Sequence, residues 1–460
     1  MESTIINSIR MLILQSPKFV VSVAKEIALV TVILSSFTGL SVASEARITL
    51  LHAGTLLSQP GLEPTKNVSI LIEDGRVTSL HDGFISVESL KTDATNVKIV
   101  NLQDSFVMPG FIDLHVHLSS DLTNERTLRV TKPDSYIALL AQRNAESTLM
   151  AGFTTIRDLG SKGTSIFSLR DAIKAGLVKG PNIIVSGPAI TPTGGHGDFH
   201  GYRQEILDAL PSPGVCDGPA DCRRAVRGLV KRGVDVIKVT VTGGVLSQTS
   251  TGTGLQFTQE ELEAIVETAH GLGRKVTGHV HANEGIVAAI NAGFDSLEHS
   301  MWADEKTLRL AKKKGVWIVP TVYPITYVGD TPEKMMVGPL KHLPPVIMAK
   351  LLKLGKQPKI MTRLAHKVGA GIALGTDSAI SPHGENGNEF IEYTNAGLSN
   401  MESLMTGTVN AAAAGGLTDR GMLKKGYAAD IVAMAISPLD DITAVLNVTF
   451  VMRDGIIFKE

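Results

Sequence analysis

Six residues far apart in a chain of 460 are of types that can hold divalent cations: His115 and His117 in FIDLHVHL, Lys238 in VIKVT, His279 in TGHVH, His299 in SLEHS and Asp377 in ALGTDS. Each closes a short apolar run that reads as a β-strand, and strand ends on one face of a barrel converge on a point. His115 and His117 are two apart, so both side chains project from one face of the strand. His279 and His281 repeat the H-x-H spacing, and imidazole suits zinc and related ions. Lys238 is flanked by apolar residues, and a buried lysine is costly unless it is paired, neutralised or modified. Having lost its proton, it can take up carbon dioxide as a carbamate whose two oxygens bridge two metals; the alternative is an ammonium that snorkels to a loop carboxylate. Asp377 is placed to ligate a metal and to take a proton from water. A dinuclear site makes hydroxide near neutral pH and polarises a carbonyl, so the expected chemistry is hydrolysis.

Positioning these residues requires a regular scaffold. FIDLHVHL, FTTIRDLG, NIIVSGPAI, VDVIKVTVT, KVTGHVHA, SLEHS, WIVPTVY and IALGTDS are candidate strands, and helical stretches alternate with them. That pattern predicts an α/β fold, a (β/α)8 TIM-type barrel over residues 109–420. Thr258 to Glu261 and Ser399 to Glu402 fit capping boxes that open helices. A doubly wound open sheet is the alternative, but Gly194-Gly195-His196-Gly197 and Gly243-Gly244 lack the spacing of a dinucleotide fingerprint. They read as loops that approach a ligand closely. Short alternating strands at residues 44–108 and 421–460, with Asp74-Gly75 and Asp454-Gly455 as hairpin signals, predict a small β-sandwich built from both chain ends.

Hydrophobic residues make up 43% of the chain and charged residues 19%, an ordinary globular composition, and a formal net charge of -1 gives no reason to expect nucleic acid as a partner. A small-molecule substrate is the default, and a homo-oligomer is expected. Residues 1–43 read as a secretory signal peptide: Arg10, Lys18 and Lys25 precede the apolar run IALVTVILSSFTGLSVA, with cleavage after Ala43 and a second candidate start at Met11. The protein is therefore expected to be secreted or periplasmic, with no stable membrane insertion after processing; an uncleaved anchor is the alternative. The two cysteines, Cys216 and Cys222, form a local disulfide if the protein is exported and stay as thiols otherwise.

These residues resemble the amidohydrolase superfamily, in the subtype with H-x-H, a carboxylated lysine, two further histidines and an aspartate. MPGFIDLHVH, LEH, GTDS and GYAADIV are similar to its recurring segments. GGHGD at Gly194 to Asp198, CDGPADCRRAVR, IKVTVTGGV, GHVHA and SPHGENGNEF resemble its Xaa-Pro dipeptidase (prolidase-like) and ochratoxinase group. The resemblance implies two divalent ions, zinc by expectation. His115, His117, Lys238 and Asp377 surround one of them, and Lys238, as N6-carboxylysine, His279 and His299 surround the other. It further implies that Asp377 takes the proton of a shared hydroxide and returns it to the leaving amine, and that His281 polarises the substrate carbonyl. His196 would lie in a loop that receives the substrate's carboxylate. Tyr323 and His383, in loops after the last two strands, are further pocket candidates.

The expected substrate is an amide or peptide next to a free carboxylate: a dipeptide, Xaa-Pro or an N-acyl amino acid. An aryl amide of phenylalanine such as ochratoxin A is an alternative. A cyclic-amide hydrolase, a mononuclear deaminase and a non-catalytic binding barrel are the other readings; the filled ligand set and Lys238 count against the last two. His52, His81, His270, His342 and His366 lack partner motifs and are assigned surface or packing roles. Arg157 and Asp158, at a strand end, fit an internal ion pair or a substrate contact. Lys312 to Lys314 read as the solvated end of a helix before Gly315.

Overall fold

The computed structural model describes residues 48–460 apart from 91–96, 121–127, 129, 162, 211–212, 248–251, 340, 342 and 343. The signal segment and His342 lie outside the described residues.

Four strands open the described chain: β1 (Ile48–Leu56), β2 (Thr65–Glu73), β3 (Arg76–Asp82) and β4 (Val97–Pro109). Seven short strands follow: β5 (Phe111–Val116), β6 (Phe153–Asp158), β7 (Asn182–Val185), β8 (Val236–Thr240), β9 (Lys275–Val280), β10 (Ser296–His299) and β11 (Trp317–Val319). The last three are β12 (Ile431–Met434), β13 (Val448–Arg453) and β14 (Ile456–Lys459).

Both chain ends share one sheet, in the order β14-β13-β12-β4-β1-β2-β3. The reason is β4, which pairs with β1 along one edge and with β12 along the other. The terminal strands expected to build a small β-sandwich are thus joined in one continuous seven-stranded sheet. Its two hairpins turn where the sequence predicts. Asp74 and Gly75 have φ of 47° and 79°, and Asp454 and Gly455 have 48° and 74°. Left-handed values at both central residues suit the twist of an antiparallel pair, and Asp-Gly tolerates them.

The strands between the chain ends pair in parallel, as β5-β6-β7 and β8-β9-β10-β11. Their residues are buried along nearly the whole length, because helices cover the sheets and the strands need no polar face. Isolated parallel bridges join the two sets, Ile190 to Val239, Ile318 to Ile372 and Val116 to Ser378. The segment IALGTDS, expected as an eighth strand, forms only these single bridges and no ladder. The turn at Asp377, with φ of 53°, takes its backbone out of the extended conformation.

Helices start where the sequence marks them. Thr258 Oγ1 accepts from Glu261 N while Glu261 accepts from Thr258 N, which opens the helix Gln259–Gly271, and Ser399 and Glu402 do the same for Asn400–Thr406. Each box contributes about 1 kcal/mol. Phe111, Phe153 and Phe390 pack together with ring centroids 5.0 to 6.2 Å apart at the core of the parallel region. Burying each ring stabilises the fold by roughly 1.5–3 kcal/mol.

Candidate metal centre

The ends of β5, β8, β9 and β10 deliver the histidines and the lysine, and the turn after Gly375 delivers Asp377. Its backbone is locked to β5: Asp377 N donates to His115 O at 2.7 Å. Asp113 adds a second lock, accepting from His115 N, Thr376 N, Thr376 Oγ1 and Asn386 Nδ2. His299, Ser300, Thr321 and Asp377 all have positive φ without being glycine, between 53° and 67°. Such strain persists only where surrounding structure enforces it, and it gathers at functional sites.

Asp377 Oδ1 lies 3.1 Å from His117 Nε2 and 3.4 Å from His115 Nε2. His115, His299 and Asp377 offer donor atoms all within 4.8 Å of one another. The His279 ring centroid is 4.6 Å from that of His299 and 4.7 Å from that of His281, and His115 and His299 are 5.0 Å apart. Lys238 is 3% exposed, and its Nζ, like His279 Nε2, has no hydrogen-bond partner among the described residues.

Burial governs the charge states. It pushes His115 down to about 4, assisted by the Lys238 ammonium, and pushes His279 and His299 well below the ordinary histidine range. It lowers the Lys238 ammonium to about 8 against the opposing pull of Glu298 and Asp377. Neutral imidazoles, an amine that gives up its proton readily and a carboxylate form a donor set for divalent cations. The unpartnered Nζ and Nε2 atoms mark where such ions fit, since buried polar atoms are otherwise nearly always satisfied.

A further shell aims these groups. His115 Nδ1 lies 2.8 Å from Glu298 Oε2, and Arg157 Nη2 donates to Glu298 Oε1 at 2.8 Å. Arg157 is therefore the internal ion pair of the two alternatives, and its partner is Glu298 rather than Asp158. Asp158 instead accepts from Leu118 N and Ser161 Oγ. His299 Nδ1 meets Thr321 Oγ1 at 2.7 Å. With Nδ1 occupied, each ring turns Nε2 toward the centre.

The centre opens into a cavity of about 490 Å³ that touches His115, His117, Lys238, His196, His281 and Asp377. The opposite wall is apolar, built by Val245, Met301, Ile325, Ile347, Leu351 and Leu354. Lys238 is the sole lysine or arginine among its described lining residues. The His196 ring stacks on His279 with centroids 4.2 Å apart, and its backbone N donates to Gln256 Oε1. Gly244 permits this: a Cβ there would fall 2.1 Å from the His196 ring. The two glycine-rich loops thus approach each other as well as the site.

Two pocket candidates lie elsewhere. Tyr323 and His383 do not line the cavity. The Tyr323 hydroxyl donates to Glu385 Oε2 at 2.7 Å, which turns it away. His383 sits behind His117, where burial pushes it down to about 4. Sequence reasoning missed His200, which lines the cavity and bonds Gly195 O through Nε2. Its place four residues after His196 in GGHGDFH was the available signal. The apolar wall was also missed, because its residues come from separate segments.

Cys216 and Cys222 form a disulfide. Cys216 N donates to Thr191 O, and Asp217 accepts from Thr193 N and Oγ1, so the bridged loop braces the segment leading into His196.

Residues 106–457 match the model of the Amidohydrolase family. Ochratoxinase of Aspergillus niger is 35% identical over 440 residues, spanning 90% of this chain and 87% of that protein. A solved Xaa-Pro dipeptidase with methionine bound in its active site superposes with a TM-score of 0.82 at 34% identity, over 90% of this chain and 100% of that one. The crystal structure of A. niger ochratoxinase superposes with a TM-score of 0.78 at 32% identity, over 90% and 96%.

Proposed function

The chain belongs to the amidohydrolase family and is a metal-dependent hydrolase of amide bonds, and on that premise we propose a binuclear enzyme that cleaves an amide next to a free carboxylate. The observation that carries the binuclear reading is the buried Lys238, whose unpartnered Nζ faces a ring of histidines. As a carbamate it would be shared between two cations, with His115, His117 and Asp377 completing one ligand set and His279 and His299 the other. A bound divalent pair supplies Lewis acidity, making hydroxide available near neutral pH and polarising the scissile carbonyl.

The chain's own groups do the rest. Asp377, held between His115 and His117, takes the proton of the attacking water and passes it to the leaving amine. His281, whose N donates to Thr242 Oγ1, holds its ring beside the centre and donates to the substrate carbonyl oxygen. His196 receives the substrate carboxylate through a ring N–H. The parallel sheets are read as a TIM-type barrel, with the strands of 44–108 and 421–460 as a second domain; the isolated bridges between the sheets support this. The disulfide favours export after loss of residues 1–43.

Dipeptides, Xaa-Pro above all, and N-acyl amino acids are the proposed substrates. The apolar wall of Ile325, Ile347, Leu351 and Leu354 favours a second reading, an aryl amide of phenylalanine of the ochratoxin A kind. Screening the purified protein against Xaa-Pro dipeptides, N-acyl amino acids and ochratoxin A, with metal content measured on the same sample, tests both. Turnover of carboxylate substrates and loss of rate on their C-terminal amides is the expected result. An enzyme indifferent to that amidation would overturn the role of His196.

A further inference from the structure

We propose that Lys350 is a positioning residue: it fastens the helix Pro345–Leu354 across the cavity and so sets the supports of both His196 and His281. What the cavity is used for rests on the hydrolase reading above; the fastening rests on geometry.

Ile347, Leu351 and Leu354 fall at i, i+4 and i+7, share one face of this helix and line the cavity. Val346 and Leu352, on other faces, are 50% and 42% exposed. The helix starts after Pro344 with no side-chain cap and ends at Gly355, whose φ is 47°, so its ends are not tied down by side chains. It is held from the side. Lys350 Nζ donates to Gly244 O at 2.8 Å and to Ser247 O at 2.6 Å, both charge-assisted bonds of the stronger kind. The turn it grips is the one whose Gly244 backbone touches the His196 ring.

A second tie runs to the other histidine. Lys353 Nζ lies 5.8 Å from the Trp302 ring centroid. Trp302 packs edge-on against His281 at 5.8 Å, and its N donates to His281 O. One helix thus walls the cavity with its apolar face and bears, through two lysines, on the neighbours of both histidines. Nothing in the proposed reaction uses Lys350, which does not line the cavity. Its two bonds to main-chain carbonyls give Lys350 a structural use on a helix whose cavity face is apolar.

The test is hydrogen exchange and kinetics on the metal-loaded Lys350→Met enzyme, which keeps the aliphatic stem and loses the donor. Amide exchange in 345–354 and 243–247 should quicken about tenfold or more, because both of the Lys350 charge-assisted hydrogen bonds are lost. Exchange in Val236–Thr240 should stay as in wild type. With N-benzoyl-L-phenylalanine, KM should rise by about the same factor while kcat and metal content hold, and Lys350→Arg should restore both readouts. Wild-type exchange in both segments of the Met variant overturns the proposal, and so does faster exchange with KM unmoved. If the wild-type enzyme hydrolyses no amide, the hydrolase reading fails and the exchange measurement alone decides the fastening.

Discussion

His115 Nδ1 and Glu298 Oε2 lie 2.8 Å apart, with the two side chains 2% and 0% exposed. Burial alone would raise the Glu298 carboxyl, but the Arg157 guanidinium and His115 outweigh it and hold it at about 2. The carboxylate therefore fixes the orientation of a ring that the site needs. Glu298→Gln keeps an acceptor for Arg157 but loses the charge. It should weaken metal binding about 10- to 100-fold, the usual effect of removing a ligand's supporting partner. Competition with a graded chelator series, read as metal retained per chain, measures this. Glu298→Ala strands Arg157 and should cost roughly 3–5 kcal/mol of stability.

Lys238→Ala should remove most activity and most bound metal together, because in the proposed binuclear site one side chain serves both ligand sets. A fully active variant holding two metals would sink the bridging carbamate. Asp377→Asn separates the roles: it should retain much of the metal yet lose turnover by about 100-fold or more, as expected when a proton-transfer group is removed. Retained turnover would mean that another base operates.

Reduction should be felt at a distance. The Cys216–Cys222 bridge closes a short loop with a sequence separation of 6. Chain-entropy reasoning gives such a closure roughly 2 kcal/mol. Cys216→Ser with Cys222→Ser should therefore lower Tm. Because Thr191 and Thr193 are bonded to this loop, KM should rise with it. A lowered Tm with an unchanged KM would show that the brace does not reach His196.

Glu402 offers a pH readout remote from the metal centre. The Ser399 backbone N–H first, then His366 and the Ser399 hydroxyl, hold its carboxyl at about 2, below its ordinary value. A depressed acid stabilises the fold above its unfolded pKa of about 4.3, and that contribution is lost as pH falls toward the folded value. The Tm difference between wild type and Glu402→Gln should thus be larger at about pH 5 than at lower pH and shrink as pH drops to about 2. A difference that stays constant down to pH 2 would exclude this carboxylate as the source.

What could be read from the sequence alone depended on neighbours in the chain. Two Asp-Gly turns, two capping boxes and two H-x-H strands follow from backbone preference and from the alternation of side chains along a strand. Each is settled within a few residues. The six candidate ligands were legible for the same reason, as chemistry-bearing residues at the ends of apolar runs, and the structure gathers their strand ends around one cavity. IALGTDS misled because its apolar start looks like a strand, whereas the strained turn at Asp377 leaves it with single bridges. In the terminal strands, nothing local reveals that β4 pairs on both edges. Only tertiary structure decided that Glu298 meets Arg157 and His115, that Tyr323 turns to Glu385, and that Lys350 reaches Gly244. Such contacts join segments separated by tens to more than a hundred residues, and they come into being only when strands and helices have closed on each other; no local preference encodes them.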